Sequence, residues 1–427
     1  MREAYAWLQN RLIGRFFEGP DGATRFEYAP AVSAPISLSL PLDGSWQADA
    51  PGAFLDGLLP DNDSEREAMR LWFGAASADP LDLLMATDTT GGLCFTSVPE
   101  LGEITSQARE FAREKDIAIK VYRLGRGWTT WQSDDRRSRF ALAGSQGKFA
   151  LERFDDRWTW PNAKHPSTHI VKPPPERFCG TPLVEDATMH LAAACGLDVA
   201  RSFVRSFGED QAYVVERFDR EVCADGQVLR IHVEDFTQAL GVSRHAKYSV
   251  TAADAFSLLK RQPNGRSLVR EWAKQLVFNT LVGNCDAHGK NYSLYLRPDG
   301  SAELRPLYDA LCTRVWQETG DLLAMPINSK NRASELSLSD WAAEAAASGI
   351  CEDDLVGAVE AIAAQIATHA PAVLAKYPDW IQEAMTTAIA VNNQQLFQEL
   401  GLRLERRSSP VHVHRSKNLT FLILRQY

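Results

Sequence analysis

The chain has 427 residues, 45% of them hydrophobic and 24% charged, with a formal net charge of −9. That length supports two or three domains with sizeable cores, and the composition excludes a disordered chain. The acidic balance argues against a surface built to bind nucleic acid by itself. Seven scattered cysteines with no CxxC pair read as reduced thiols, not as a disulfide framework or a zinc site. Polar residues break every apolar run of the N-terminus, and no uncharged stretch nears the ~20 residues that span a bilayer. A cytoplasmic protein without membrane association is expected.

Residues 4–40 alternate in the manner of β structure: Tyr5, Trp7 and Leu12, then Phe26-Glu27-Tyr28, then Ile36 to Leu40. Turn-formers at Gly19-Pro20-Asp21-Gly22 and Leu42-Asp43-Gly44 punctuate them, so a small antiparallel sheet is expected. A charged helix follows over 64–73 with Ser64 as its N-cap, and Asp79-Pro80 opens a short helix through Met85. Gly91-Gly92-Leu93 returns to strand. Residues 103–135 are polar with little periodicity and read as a linker.

A second β-rich unit begins near Arg139. Residues 140–151, FALAGSQGKFAL, read as strand–turn–strand with Gly144 and Gly147 in the turn. His169 to Lys172 form a short strand stopped by Pro173-Pro174-Pro175, a helix runs from Leu183 to Cys195 with Gly196 after it, and 212–216 is a strand. From Thr251 the pattern is helical. Thr251 and Asp254 resemble a capping box, 267–282 is an apolar-faced helix ending at Gly283, and 339–348, 353–369 and 379–400 are further helices. The fold class is therefore α+β and two-lobed. Its parts are a β-rich N-terminal subdomain over 1–102, a linker over 103–135, an N-lobe over 136–250 and a helical C-lobe over 251–400. A basic tail over 401–427, with Arg406, Arg407, His412, His414, Arg415 and Lys417, stays unassigned.

The densest chemistry lies between Phe278 and Asp309. Asp286, His288, Lys290 and Asn291 fall within six residues, and an expected hairpin (Tyr292–Leu296, a turn at Arg297-Pro298-Asp299-Gly300, then Ala302–Leu304) delivers Asp309. A carboxylate, an Asn five residues on, a hairpin and a second Asp is the layout of a protein-kinase catalytic loop with its metal-binding Asp. Phosphoryl transfer from ATP needs a group that orients the acceptor hydroxyl, oxygen ligands for Mg²⁺, a cation on the phosphates and a backbone cover. Asp286 suits the first role, Asn291 and Asp309 the second. Lys290 is placed for the γ-phosphate with His288 in support, and Lys172, ending a strand, is the candidate phosphate lysine.

Taken one at a time these residues say less. A lone Lys in HIVKP reads as surface charge, and Gly144-Ser145-Gln146-Gly147-Lys148 lacks the Walker A spacing and reads as a turn. Glu216 and Phe218 suit a hinge facing adenine or, equally, a strand edge. His232-Val233-Glu234-Asp235 fits no zinc spacing and reads as structural, as do Cys285, Trp128 and Trp131.

Together the motifs resemble those of the HipA-type serine/threonine kinases, toxins of bacterial toxin–antitoxin pairs. The resemblance covers about residues 5–375 through SLSLPL (37–42), FLDGLLPDN (54–62), DPLDLL (79–84), AGSQGK (143–148), HIVKP (169–173), VVERFDR (214–220), HVEDFTQALG (232–241), NCDAHGKN (284–291) and LRPLYD (304–309). It implies a kinase-like fold, ATP and Mg²⁺ as cofactors, Asp286 as catalytic base and Asn291 and Asp309 as metal ligands. Lys172 would be the ATP lysine, Ala143, Gly144, Ser145, Gln146, Gly147 and Lys148 the phosphate loop, and Glu216, Arg217 and Phe218 the adenine hinge. His288 to Asn291 would face the nucleotide. It also implies a helix-turn-helix antitoxin of HipB type, operator DNA reached through that antitoxin, and a protein substrate such as glutamyl-tRNA synthetase, whose phosphorylation stalls translation and produces dormancy. A catalytically idle corepressor scaffold and a small-molecule kinase of similar fold are the alternatives. Two features depart from the family. The serine that often precedes the phosphate loop is missing from Phe140-Ala141-Leu142-Ala143, leaving Ser145 inside the loop, and the tail beyond about 400 matches nothing.

Overall fold

Small and aromatic side chains alternate along the first strands, and this alternation builds the first sheet of the computed structural model, which describes residues 2–404 except 106, 132–137, 298 and 300. The strands Thr24–Tyr28, Arg11–Glu18, Glu3–Leu8 and Leu93–Thr96 lie antiparallel in that order. Ala4, Ala6, Phe16 and Phe26 point inward, and the Phe16 ring stacks on Phe54 at 6.1 Å. Gly14 has no room for a side chain, since a Cβ there would fall 2.4 Å from the Glu27 carbonyl oxygen.

The expected strand over 36–40 is instead a loop. Its polar groups are satisfied by a distant residue: the Ser37 hydroxyl donates to Glu234 Oε2 at 2.5 Å and the Leu38 N–H to Oε1 at 2.9 Å. The charged helix starts one residue early, at Asp63–Phe73. Its cap is Asn62, whose side chain accepts from the Ser64 N–H at 2.9 Å, and not Ser64.

Within the span 103–135, expected as a linker, the described residues form regular structure. Glu110–Phe111 is an edge strand, and the helix Glu114–Gly125 buries Ile117, Val121 and Leu124 on one face. The strand belongs to a six-stranded sheet ordered Glu110–Phe111, Arg157–Trp160, Phe149–Phe154, His169–Lys172, Asp210–Glu216 and Ser202–Phe207. The strand–turn–strand expected over 140–151 keeps only its second strand. Phe140 and Gly144 make single bridges to Asp88 and Pro60, so the segment is stitched to the N-terminal unit. One hydrophobic core is shared across that boundary, with Phe16, Phe54 and Phe95 in the same cluster as Phe149, Leu151 and Val214.

The helical lobe follows its local signals closely. Thr251 and Asp254 form a reciprocal capping box on Ala252–Lys260, and Gly265–Val282 ends at Gly283 in the left-handed region. Thr181–Ala194, Gly265–Val282 and Glu352–Leu374 pack around Trp272, Phe256 and Tyr292. The helix expected over 379–400 breaks into Asp379–Asn392 and Gln394–Glu399 because the Asn393 side chain turns back to donate to the carbonyls of Leu281 and Ile389, both at 2.7 Å. The basic tail from residue 405, with Arg406 to Lys417, lies outside the described residues. Among those described, no helix is long and apolar enough to cross a membrane. The architecture is α+β and two-lobed, with the expected hairpin Ser293–Leu296 and Ala302–Leu304 at the junction of the lobes; Pro298 and Gly300 of its turn lie outside the described residues.

Candidate active site

A cleft opens between the six-stranded sheet and the helical lobe. Ala143, Gly144, Lys148, Lys172, Glu216, Arg217, Phe218, His288, Lys290, Asn291 and Asp309 all line it, so eleven of the fifteen residues singled out from the sequence meet there. Asp286 stands exposed at its mouth. Ser145 and Gln146 face a smaller neighbouring hollow with Glu65, Thr130 and Trp131. Gly147 sits against Leu124. Only the two ends of the expected phosphate loop therefore face the cleft. Trp131 packs among Trp72, Phe73 and Phe140, while Trp128 is about half exposed.

The floor is an ion cluster around Lys172. Antiparallel pairing sets Lys172 opposite Tyr213 and His169 opposite Glu216, so the strand holds the lysine at one end of the cleft and the hinge candidate at the other. Lys172 Nζ donates to Glu185 Oε1 at 2.6 Å and to Asp309 Oδ1 at 2.5 Å. Burial alone would drive the ammonium to release its proton, but the two carboxylates outweigh it and raise Lys172 above the ordinary Lys value. Burial would likewise raise Asp309, yet Lys172 and Lys148 hold it well below the usual carboxylate range. Glu185, fully enclosed, is pushed up to about 7 by burial against the pull of Lys172.

Asp309 adopts φ 57°, a backbone state rare outside glycine, which turns its carboxylate back toward the 284–291 loop. There Asp309 Oδ2 accepts from Asn291 Nδ2 at 2.8 Å, while Asn291 Oδ1 accepts from the His288 N–H at 3.1 Å. Tyr308 fastens the two segments together by donating its hydroxyl to the Lys290 carbonyl at 2.7 Å. Burial, with Lys247 nearby, lowers His288 to about 4, so the imidazole is neutral at neutral pH. Burial also lowers Lys148 to about 8, and Gly144 leaves room for that lysine, since a Cβ on Gly144 would come 2.7 Å from Lys148 Nζ.

Asp286 follows directly from the helix end at Gly283. Its N–H donates to Asn284 Oδ1 at 3.1 Å, and its Oδ1 accepts from the Tyr248 hydroxyl at 2.6 Å. The walls of the cleft mouth withdraw water from Asp286 and raise its carboxyl above the ordinary Asp value, and Tyr248 opposes that rise.

At the far end, the N–H groups of Glu216 and Arg217 donate to the carbonyls of Arg201 and Thr168 at 2.7 and 2.8 Å. The Arg217 guanidinium turns away from the cleft into a fully buried cluster. It donates to Asp219 at 2.9 and 2.7 Å and to the Thr89 carbonyl at 2.9 Å, while Arg220 donates to Asp88 Oδ1 at 2.9 Å. Asp88 also accepts from the Ser167 N–H and hydroxyl at 2.9 and 2.7 Å. Arg217 thus borders the cleft by its backbone while its charge braces the N-terminal unit. In the 232–235 run His232 pairs with the Ile36 carbonyl and Asp235 caps the helix Phe236–Ala239 in a reciprocal box, while Val233 and Asp235 also line the cleft.

Four residues of the site were not foreseen. Glu185 had a signal, because a buried phosphate lysine requires an acid and the helix after its strand carries one. Asp61, Lys247 and Tyr248 had none in their local sequence. Asp61 lies in the motif 54–62 and reaches the loop by accepting from Lys290 Nζ at 2.6 Å and Lys247 Nζ at 2.9 Å.

The donor chemistry fits a hard divalent cation. Asp309 supplies an ionised carboxylate, and the Asn291 amide, a neutral oxygen donor by type, lies against it. Among the described residues no three or more His, Cys, Asp or Glu gather into a metal cage, and Mg²⁺ carried with substrate phosphates needs only one or two protein carboxylates.

The chain is similar to known proteins over most of its length. Residues 4–95 match the HipA N-terminal domain and residues 140–374 the HipA-like C-terminal domain. The Sinorhizobium fredii protein named "Putative kinase Y4mE" is 34% identical, over 82% of this chain and 86% of its own. The Shewanella oneidensis "Serine/threonine-protein kinase toxin HipA" is 30% identical, over 69% and 70%. A Shewanella oneidensis HipA solved with HipB and operator DNA superposes with a TM-score of 0.80 at 25% identity, covering 93% of this chain and 99% of that one. The chain belongs to the HipA family of serine/threonine-kinase toxins.

Proposed function

We propose that this chain is an ATP- and Mg²⁺-dependent protein-serine/threonine kinase acting as the cytoplasmic toxin of a toxin–antitoxin pair. The observation that carries the reading is the Lys172 ammonium held between Glu185 and Asp309, with Asn291 bonded to Asp309. A buried lysine fixed by an acid from the following helix, beside an Asp–Asn pair, is the charge arrangement that phosphoryl transfer demands.

In this reading Lys172, and Lys148 under the loop end, receive the phosphate oxygens of ATP. Asn291 and Asp309 would hold Mg²⁺, which neutralises developing charge on the transferred group when bound. Asp286 accepts the proton of a serine or threonine hydroxyl as that oxygen bonds to the γ-phosphorus and ADP departs. Neutral His288 shapes the wall beside it without adding charge. The backbone of 216–218 meets the base. A helix-turn-helix antitoxin of HipB type, operator DNA through that antitoxin, and a translation protein such as glutamyl-tRNA synthetase are the proposed partners, by analogy with the family.

The test is expression in bacteria of the wild type and of Asp286→Asn, with ³²P labelling of total protein. Growth arrest and a labelled protein band from the wild type alone are expected. Neither arrest nor label from the wild type would overturn the reading.

A further inference from the structure

The exposed carboxylate of Asp286 already has a hydroxyl on it. Tyr248 Oη donates to Oδ1 at 2.6 Å. A general base in this reaction accepts a hydrogen bond from the attacking oxygen over roughly 2.6–3.2 Å, so the phenol stands where an attacking oxygen must stand.

The surroundings show that this placement is held. Tyr248 follows the short 3₁₀ turn Arg244–Ala246, whose arginine is anchored by its Nη2 to Asp63 Oδ1 at 2.7 Å. Its neighbour Lys247 donates from Nζ to Asp61 and accepts the Gly289 N–H on its carbonyl at 3.3 Å, which ties the turn to the 284–291 loop. The Tyr248 ring stands edge-on to His288 at 5.0 Å and 83°, yet the residue remains 53% exposed. A tyrosine so open to solvent has water available for its hydroxyl, and it is bonded to the carboxylate instead. Partial burial and the neighbouring Asp286 raise the phenol above the ordinary Tyr value, so it stays a donor at every physiological pH.

An uncovered base at the mouth of a nucleotide cleft serves water as readily as a protein hydroxyl. In hydrolysis the water oxygen bonds to the γ-phosphorus, its proton passes to Asp286, the bond from the γ-phosphorus to the β–γ bridging oxygen breaks, and ADP and inorganic phosphate leave. In transfer, a serine oxygen takes the place of the water. We propose that Tyr248 is a specificity residue that occupies Asp286 Oδ1 against water and yields that oxygen to the hydroxyl of a docked protein substrate. This rests on the kinase reading above. A single water gains little by replacing the phenol, whereas a peptide acceptor adds the contacts of its flanking residues, and a half-exposed ring can swing outward to admit it.

Tyr248→Phe keeps the ring on His288 and removes only the donor. With purified full-length chain, release of inorganic phosphate from γ-³²P-ATP in the absence of acceptor is expected to rise about tenfold, the weight of one charge-assisted hydrogen bond. Affinity for a fluorescent N-methylanthraniloyl-ATP is expected to stay within about twofold, and adding Asp286→Asn should abolish the increment. Unchanged hydrolysis in Tyr248→Phe would show that water reaches Asp286 past the phenol, and reduced hydrolysis would show that Tyr248 supports the base; either overturns the proposal. Absence of nucleotide binding by the wild type would overturn the kinase reading together with it. Nucleotide binding with Asp286-dependent turnover, but no effect of Tyr248→Phe, would leave the kinase reading intact and remove only the role of Tyr248.

Discussion

Lys290 reaches out of the 284–291 loop to donate to Asp61 Oδ1 at 2.6 Å, and the carboxylate that receives it comes from the N-terminal unit. Asp61 is fixed on its own side as well. Its N–H donates to the Gly144 carbonyl at 3.1 Å, Arg66 Nε donates to the Pro60 carbonyl and Arg244 Nη1 to the Asp61 carbonyl, both at 2.6 Å. One residue thereby joins the N-terminal unit, the proposed phosphate loop and the proposed catalytic loop. Burial would raise its carboxyl, but Lys290 and Lys247 outweigh that and hold it well below the usual range.

Asp61→Asn keeps the shape and removes the charge. It is expected to destabilise the protein by about 1–3 kcal/mol, the scale of a hydrogen bond to a charged group in a partly buried site. Phosphoryl transfer should fall at least tenfold, because Lys290 is no longer aimed. Urea unfolding and ³²P transfer to protein check the two effects separately.

Lys172→Met leaves Glu185 and Asp309 facing each other with the cation between them gone. Transfer is expected to drop on the order of 10²–10³-fold, as for other losses of a preorganised charge partner. Calorimetric titration with ATP should show weakened binding, and circular dichroism should show the fold retained.

Glu234 carries a pH dependence that can be worked out in sign. Burial raises its carboxyl from the ordinary 4.5 to about 8, against the hydrogen bonds from Ser37 and Leu38. Between those values the folded state holds a proton that the unfolded chain has released, so this group's contribution is complete below about 4.5 and is lost as pH rises through about 8. Glu234→Gln, which cannot ionise, should flatten the decline in stability between pH 5 and 8, read from denaturation midpoints at several pH values.

Phe140, Ala141 and Leu142 carry no hydroxyl and are buried under the N-terminal unit. Incubation with ATP is expected to place no phosphate on residues 140–143 and to cause no progressive loss of activity. Mass spectrometry of the peptide spanning 140–148 decides this, and phosphate on Ser145 with loss of activity would contradict it.

What could be read from the sequence was what neighbours in the chain decide. The box of Thr251 and Asp254, the stop at Gly283 and the hairpin after Asn291 all depend on residues a few positions apart. The loop at 36–40 has the alternation of a strand and was misread because its partner, Glu234, is 197 residues away from Ser37. The helix Glu114–Gly125 was hidden by its own surface: it opens on Glu114, Lys115 and Asp116, and the exposed Ile119 and Tyr122 blur the helical spacing of the buried Ile117, Val121 and Leu124. Asn62 and Ser64 are both good caps, and only the backbone geometry chooses between them. In the cleft, Lys148, Lys172, Lys290 and Asp309 were legible because phosphate chemistry names their types. Asp61 and Tyr248 were not, since each acts on a loop to which no sequence pattern connects it.

The buried cluster of Asp88, Arg217, Asp219 and Arg220 bears on how such chains can be recombined. Asp88 comes from one unit and the arginines from the strand exit beside the cleft, where Asp219 pairs with both Arg217 and Arg220 while Asp88 pairs with Arg217, Arg220 and Arg230. A chimera that joins the first 95 residues of one relative to the kinase portion of another would inherit a mismatched set of buried charges unless these positions travelled together. The two portions are thereby bound to change in step, and the far wall of the cleft is the place where a failure to do so would first be felt.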